Sequence, residues 1–547
     1  MSKRLIHWLL AIMACSLVPL PAALAAQGPG GPLVGVDWLE KNLASGEVVL
    51  LDASPTPLHS AKHIPGAVNV DVFSFGGREV PAAEMERRFR SWGVSAGKKV
   101  VLHDQGGTFF ATSLFFDLYY HGFPAEDLLV LDGGLAKWQA AGYAVTKDPT
   151  PVPKPGNFRV AKTREEARVR LPEFLVASGD PANHALVEAL EPAHHFGGAK
   201  FFDRAGHVPN AILAPAADFF NADKTFKPAG EIRRMLDYLG IRPEQQVHAH
   251  CGGGIAASVP FFAMKFLLDY PRVRLYKESQ LEWLRDDRGL PFWTYDAPNL
   301  TRERSWLAGW GGAMVRSFGV SRLSVVDVRP PAAFTQAHVP FAINVPAEVF
   351  RRHRDDPARL AEALGAAGID PANEAVIVSD GGLNPDSALA FLMLERLGQR
   401  RVSVLAGSID DWGFAGLPLD KAGDAANPGK PPPGPARRTS YPADIRPGVL
   451  AGDARGAPGP YPKVYVASGR TLPARLPEGK VVHVPYTELL KPDGSPRAAM
   501  EIWTALVKAG VPRYAEIVSF SEDPGEAAAI YFILRLMGYP DVKVLMM

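Results

Sequence analysis

A set of short motifs returns three times along this chain at a domain-sized period, and a fourth time in weaker form. The first set reads VVLLDAS, KHIPGAVNV, KVVLHDQGG and LLVLDGGLAKW; the second reads HALVEAL, GHVPNAILA, QVHAHCGGG and VRLYKESQLEW. The third reads LSVVDVR, AHVPFAINV, AVIVSDGGL and VSVLAGSIDDW. Spacings hold the register. His63 to Asp104 is 41 residues, His207 to Cys251 is 44, and His338 to Asp380 is 42. Asp52 to His63 and Asp327 to His338 are each 11, whereas Glu188 to His207 is 19, so the second unit carries an insertion of eight residues that includes His194 and His195. The fourth unit keeps the order in KVYVASGR, KVVHVPYTELL, AEIVSFSEDPGEAAAIYFILRLMGY and VKVLMM. A period of this length means repeated domains rather than a short-repeat solenoid.

Within each unit, short β-branched runs alternate with helical runs such as FFATSLFFDLYYHGF and DSALAFLMLERLG, which read as amphipathic. That alternation predicts an α/β fold: four tandem domains, each a mainly parallel sheet covered by helices on both faces. The expected divisions are a leader at 1–26, domains at 27–152, 153–295 and 296–422, a proline-rich linker at 423–440, and a degenerate fourth domain at 441–547. In such sheets the functional crevice lies at the carboxyl ends of the strands. Cys251, Asp104, Asp380 and, approximately, Phe520 fall at that place in the four units.

Cys251 is the chemical singularity of the repeat. It stands at the end of an apolar strand, VHAH, and is followed by Gly252, Gly253, Gly254, Ile255 and Ala256, where a helical run begins. Glycines let the backbone curl so that N–H groups point inward, and a helix N-terminus adds favourable potential for negative charge. The expectation is a nucleophilic thiol with a lowered pKa. The other cysteine, Cys15, lies in a leader: Lys3 and Arg4, the run LIHWLLAIMACSLV, then Ala23-Leu24-Ala25. That pattern reads as a cleaved secretory signal with a periplasmic destination and no membrane span after its removal. The residues before Cys15 make a poor lipoprotein-processing site. With a net charge of +1 the chain has no footprint for nucleic acid.

These motifs resemble the rhodanese family of sulfurtransferases, in the GHIPGA-like turns, the DGG-x-x-x-W ending at Asp132 to Trp138, and the cysteine loop. The first two units are similar to the family's tandem pair, with the cysteine in the second. The resemblance implies that Cys251 accepts sulfane sulfur from thiosulfate or 3-mercaptopyruvate as a persulfide and passes it to a thiol or cyanide. The acceptor could also be a periplasmic protein. Residues 252–256 would cradle the persulfide, and Arg204 and His250 are candidates for binding the anionic donor. No cofactor or metal is expected. The loop is nearer the glycine-rich form of mercaptopyruvate enzymes than the cationic form of thiosulfate enzymes, for no Lys or Arg lies within 252–258.

Rival chemistries fit less well. A phosphatase loop of the form HC-x5-R would need arginine where Ala257 stands, and the phosphoryl group would lose its clamp. His248, His250 and Cys251 lack the spaced partners of a metal site. A non-catalytic sulfur carrier or docking scaffold is the main alternative, because three units lack the nucleophile. Asp104 and Asp380 place carboxylates where an anion cradle would be, and each is expected to bond to its own loop's N–H groups.

Overall fold

The computed structural model describes residues 31–75, 79–310, 315, 318, 321–421, 438–453 and 459–547. The leader with Cys15 and most of the proline-rich linker lie outside the described residues. Four sheets follow one another along the chain. In the first three, the strand order is first, fifth, fourth, second, third, and every pairing between these strands is parallel. In the second sheet these strands are Arg168–Val169, His184–Glu188, Ala211–Leu213, Gln246–His250 and Val273–Tyr276. The fourth sheet has four strands, and Leu450 makes a single parallel bridge to Val544 at the edge where the other units have a full strand.

The helical runs read as amphipathic are buried all round. Every residue of the helix Phe110–Tyr120 is buried, as are ten of the twelve residues of Pro385–Arg396. One face of each covers its own sheet; the other packs on the helix of the neighbouring unit, so no polar face is required. Phe115 meets Phe262 and Phe266 with ring centroids 4.9 Å apart, and Phe116 meets Phe261 at 5.0 Å. In the second pair Phe391 meets Phe532 at 4.9 Å. One apolar cluster therefore spans units one and two, and another spans units three and four. Each aromatic side chain withdrawn from water in this way contributes about 2–3 kcal/mol. No helix among the described residues is long and apolar enough to cross a membrane.

Candidate active site

The strand Gln246–His250 is central in its sheet and pairs with His184–Glu188, with His250 opposite Glu188. Cys251 is the next residue, at the carboxyl end, and is 2% exposed. The same register places Asp52 opposite His103, Asp327 opposite Val378 and Ala467 opposite Phe520. The residues equivalent to Cys251 are therefore Asp104, Ser379 and Ser521. Asp380 and Phe520 are each displaced by one residue from the position the sequence spacing assigns them. Matching Asp104 to Asp380 by residue type ignores where the third strand ends, at Val378.

The first unit fills its own cradle. Asp104 Oδ1 accepts the N–H of Gly106 at 2.8 Å, and Oδ2 accepts those of Phe110 and Ala111 at 3.1 and 3.0 Å. Asp380 does not do the equivalent: it is exposed, with its carboxylate 3.8 Å from Arg329. In that loop Ser379 Oγ donates to the Gly382 carbonyl at 2.7 Å and accepts the amide of Asn384.

Around Cys251 no carboxylate fills the cradle as Asp104 does in the first unit. The N–H groups of Ala257, Gly253, Gly254 and Ala256 act on the sulfur and favour its charged form. Burial outweighs them and pushes the thiol above its ordinary value. This reverses the lowered pKa expected from the loop alone, because Cys251 lies in the apolar cluster shared with the first unit. The cradle thus suits an anion delivered to it better than it ionises the empty thiol.

Of the three glycines, one is dictated by sterics. Gly254 has φ +78, and a Cβ there would lie 2.0 Å from the Lys277 carbonyl oxygen. A Cβ on Gly253 would meet nothing within 4 Å, and one on Gly252 would meet Phe201 at an ordinary 3.6 Å. The helix after the loop begins at Ser258 rather than Ala256, since Ile255–Ala257 form a turn closed by Ser258 N–H to the Ile255 carbonyl.

The segment after the last strand holds the loop from behind. Ser279 Oγ accepts the Cys251 N–H at 3.1 Å, Gln280 N–H donates to the Cys251 carbonyl at 3.0 Å, and Leu281 N–H to that of Gly252 at 2.8 Å. Lys277, whose carbonyl sits over Gly254, is anchored by a buried 2.8 Å ion pair with Asp117 of the first unit. No motif in the sequence singles out these four residues. The second unit's departure from the DGG ending at KESQLEW was the only local signal for them.

Neither Arg204 nor His250 presents a free cationic donor to an anion. The Arg204 guanidinium donates to the carbonyls of Trp283, Leu284, Arg285 and Leu290, tying the insertion to the segment after Trp283. Its donors are occupied by backbone. His250 is fully buried, edge-on to Phe174, and burial pushes its pKa down to about 4, so it is neutral. His248 is likewise pushed down, to about 3, and lies 3.0 Å from His184.

A further cluster lies behind the loop. His195 stands seven residues after Glu188, as His59 stands seven after Asp52, so it precedes the eight-residue insertion rather than belonging to it. It is held by Glu188 at 3.1 Å and Asp296 at 2.6 Å, and stacks on His207 at 3.7 Å. Ring nitrogens of His195 and His207 converge with Asp296 within 4.8 Å. The rings are parallel to within 2°, so their lone pairs run side by side rather than meeting at one point, and the arrangement serves an ion pair. Burial alone would push His195 down, but Asp296 and Glu188 override it and hold its pKa up at about 9. The folded state keeps a proton that an unfolded chain releases near pH 6.5. The stabilisation is complete below pH 6.5 and lost as pH rises through 9, on the order of 3 kcal/mol. Thermal midpoints should fall between pH 7 and 9.5, and His195→Gln should flatten that slope while lowering the plateau.

A family model, the rhodanese-like domain, matches residues 35–141 and 313–415, which are the first and third units. The sulfur carrier protein TtuD of Thermus thermophilus is 30% identical over 271 residues, 46% of this chain and 93% of that protein. A probable 3-mercaptopyruvate sulfurtransferase of Pseudomonas aeruginosa is 29% identical over 286 residues, 47% of this chain and 96% of that protein. Among solved structures, the anaerobic ergothioneine biosynthesis enzyme of Chlorobium limicola aligns with 25% identity and a TM-score of 0.44, over 48% of this chain and 70% of that one.

Proposed function

The chain belongs to the rhodanese superfamily, and from that premise we propose that it moves sulfane sulfur through a persulfide on Cys251. The donor is a small anion, 3-mercaptopyruvate or thiosulfate, and the acceptor is a thiol or cyanide. The observation that supports this most is the contrast between equivalent positions: Asp104 occupies its cradle, Ser379 and Ser521 stand at the third and fourth, and Cys251 alone offers sulfur to four N–H groups.

The Cys251 thiolate attacks the transferable sulfur, the sulfane sulfur of thiosulfate or the thiol sulfur of 3-mercaptopyruvate, forming a sulfur–sulfur bond. With thiosulfate, the donor's own sulfur–sulfur bond breaks and sulfite leaves with the electron pair. With 3-mercaptopyruvate, the carbon–sulfur bond breaks and the pyruvate enolate leaves, taking a proton from water. The acceptor then attacks the terminal sulfur, and the Cys251 thiolate departs with the bonding pair. Oriented N–H groups carry the charge on sulfur throughout. The loop has no cation at 252–258 and Arg204 is bound to carbonyls, so the singly charged 3-mercaptopyruvate is the favoured donor over the thiosulfate dianion. Intact mass after exposure to each donor tests this. One added sulfur atom is expected, faster from 3-mercaptopyruvate; no added sulfur from either would overturn the proposal.

The second reading is a sulfur carrier or docking scaffold. Its support is that three of four units lack the cysteine and that one similar protein is named a sulfur carrier. A persulfide that forms readily but passes to cyanide slowly, and to a protein thiol fast, would favour it.

A further inference from the structure

We infer that the fourth unit holds the Cys251 loop in place through a chain of contacts running inward from Gly538 at the surface to Asp296, His195, Glu188 and Gln280. Asp296 and His195 are then positioning residues for the sulfur transfer proposed above, and the inference rests on that reading of Cys251. It assigns a role to a unit that carries no nucleophile of its own.

Asp296 lies between the second and third units, yet the fourth unit fixes it. On one side Tyr295 donates its hydroxyl to the Arg497 carbonyl at 2.5 Å; on the other, the Ala297 N–H donates to the Leu536 carbonyl at 3.1 Å. Gly538 closes the third side. It has φ +77, and a Cβ there would lie 2.0 Å from Asp296 Oδ2, so the fourth unit's backbone fits the carboxylate with no room to spare.

From Asp296 the chain runs inward. Its Oδ1 is 2.6 Å from His195 Nε2, and the other ring nitrogen is 3.1 Å from Glu188 Oε2. The second oxygen of Glu188 accepts the side-chain amide of Gln280 at 2.7 Å. The Gln280 backbone N–H donates to the Cys251 carbonyl. Glu188, His195 and Gln280 are all buried. The groups facing His195 are Glu188, Asp296 and the stacked His207, and the charge on His195 helps to keep the nearby His250 neutral.

The other units show what is added here. In the first and third units the carboxylate at the end of the second strand has a cationic or imidazole partner: His59 beside Asp52 at 2.8 Å, and Arg329 beside Asp327 at 2.7 Å. The fourth has Ala467 there and no carboxylate. His59 stacks on His63 just as His195 stacks on His207. In the second unit the imidazole gains a second carboxylate, Asp296, from the segment that follows the sheet's last strand. A shift of about 1 Å at a reacting group costs about a hundredfold in rate, so a clamp on the loop's rear is worth having.

The test uses the full-length protein with Asp296→Asn, Gly538→Ala and both. Two readouts are taken: steady-state sulfur transfer, and amide hydrogen exchange of Gln280 and Leu281, the donors to the loop carbonyls. Each single change should lower kcat about tenfold, with KM for the donor within twofold, and speed exchange at 280–281 about tenfold. Exchange in the third unit's central strand should be unchanged. The double variant should be no worse than the worse single one, since both cut the same chain. Should Gly538→Ala unfold the fourth unit, Asp296→Asn decides alone. A folded Asp296→Asn protein with kcat and exchange at 280–281 within twofold of the parent would overturn the inference, as would fully additive effects. The exchange readout needs no turnover, so it still decides if the parent takes sulfur from neither donor.

Discussion

Cys251→Ser will abolish persulfide formation and sulfur transfer while the protein stays folded. Loss of the nucleophile should cost at least about 10⁴-fold in kcat, because a serine hydroxyl is both less acidic than a thiol and unable to hold sulfur as a stable persulfide. The fold should tolerate it. Serine already stands at the equivalent position in the third and fourth units, where Ser379 donates to the Gly382 carbonyl and Ser521 to Glu526. In the second unit the hydroxyl can turn toward loop groups, so the expected loss of stability is about 1–2 kcal/mol or less. Intact mass after donor exposure should show no added sulfur, and a cyanide assay should read background. A serine variant that still forms thiocyanate would place the nucleophile elsewhere and sink the assignment.

What could be read in the sequence was what depends on neighbours in sequence. Alternating strands and helices, the order of units and the isolation of Cys251 all follow from local composition and spacing, and the four parallel sheets agree with them. The loop position in the first unit was also readable, because an aspartate there can only meet its own N–H groups. In the third and fourth units the spacing falls one residue off, since matching letters cannot see where a strand's last hydrogen bond falls. The glycines and the helix after Cys251 by themselves imply a lowered thiol pKa. Its actual direction is set by desolvation, and the covering helix Phe110–Tyr120 lies more than a hundred residues upstream. The chain from Gly538 through Asp296 to His195 draws on three distant segments, and no local pattern joins them.

Gly254→Ala is the second change with a large expected effect, and it separates a required glycine from its permissive neighbours. Two costs add. An alanine at φ +78 costs roughly 1–2 kcal/mol from backbone strain alone. Its Cβ would also press on the Lys277 carbonyl oxygen, carbon and Cα at 2.0, 2.7 and 2.8 Å, all backbone atoms. Lys277 cannot retreat freely: its ammonium is paired with Asp117 in the first unit, and the residues after it hold the Cys251 N–H and carbonyl. The loop must therefore yield, taking with it N–H groups that face the sulfur. We expect a loss of about 100-fold in kcat and about 2–4 kcal/mol in stability. Gly253→Ala is the control, for its Cβ meets nothing within 4 Å, and it should stay within a few-fold of the parent. Measured side by side, equal activities for the two variants would mean that the cradle's shape does not set the rate, and that burial of the thiol by the first unit does.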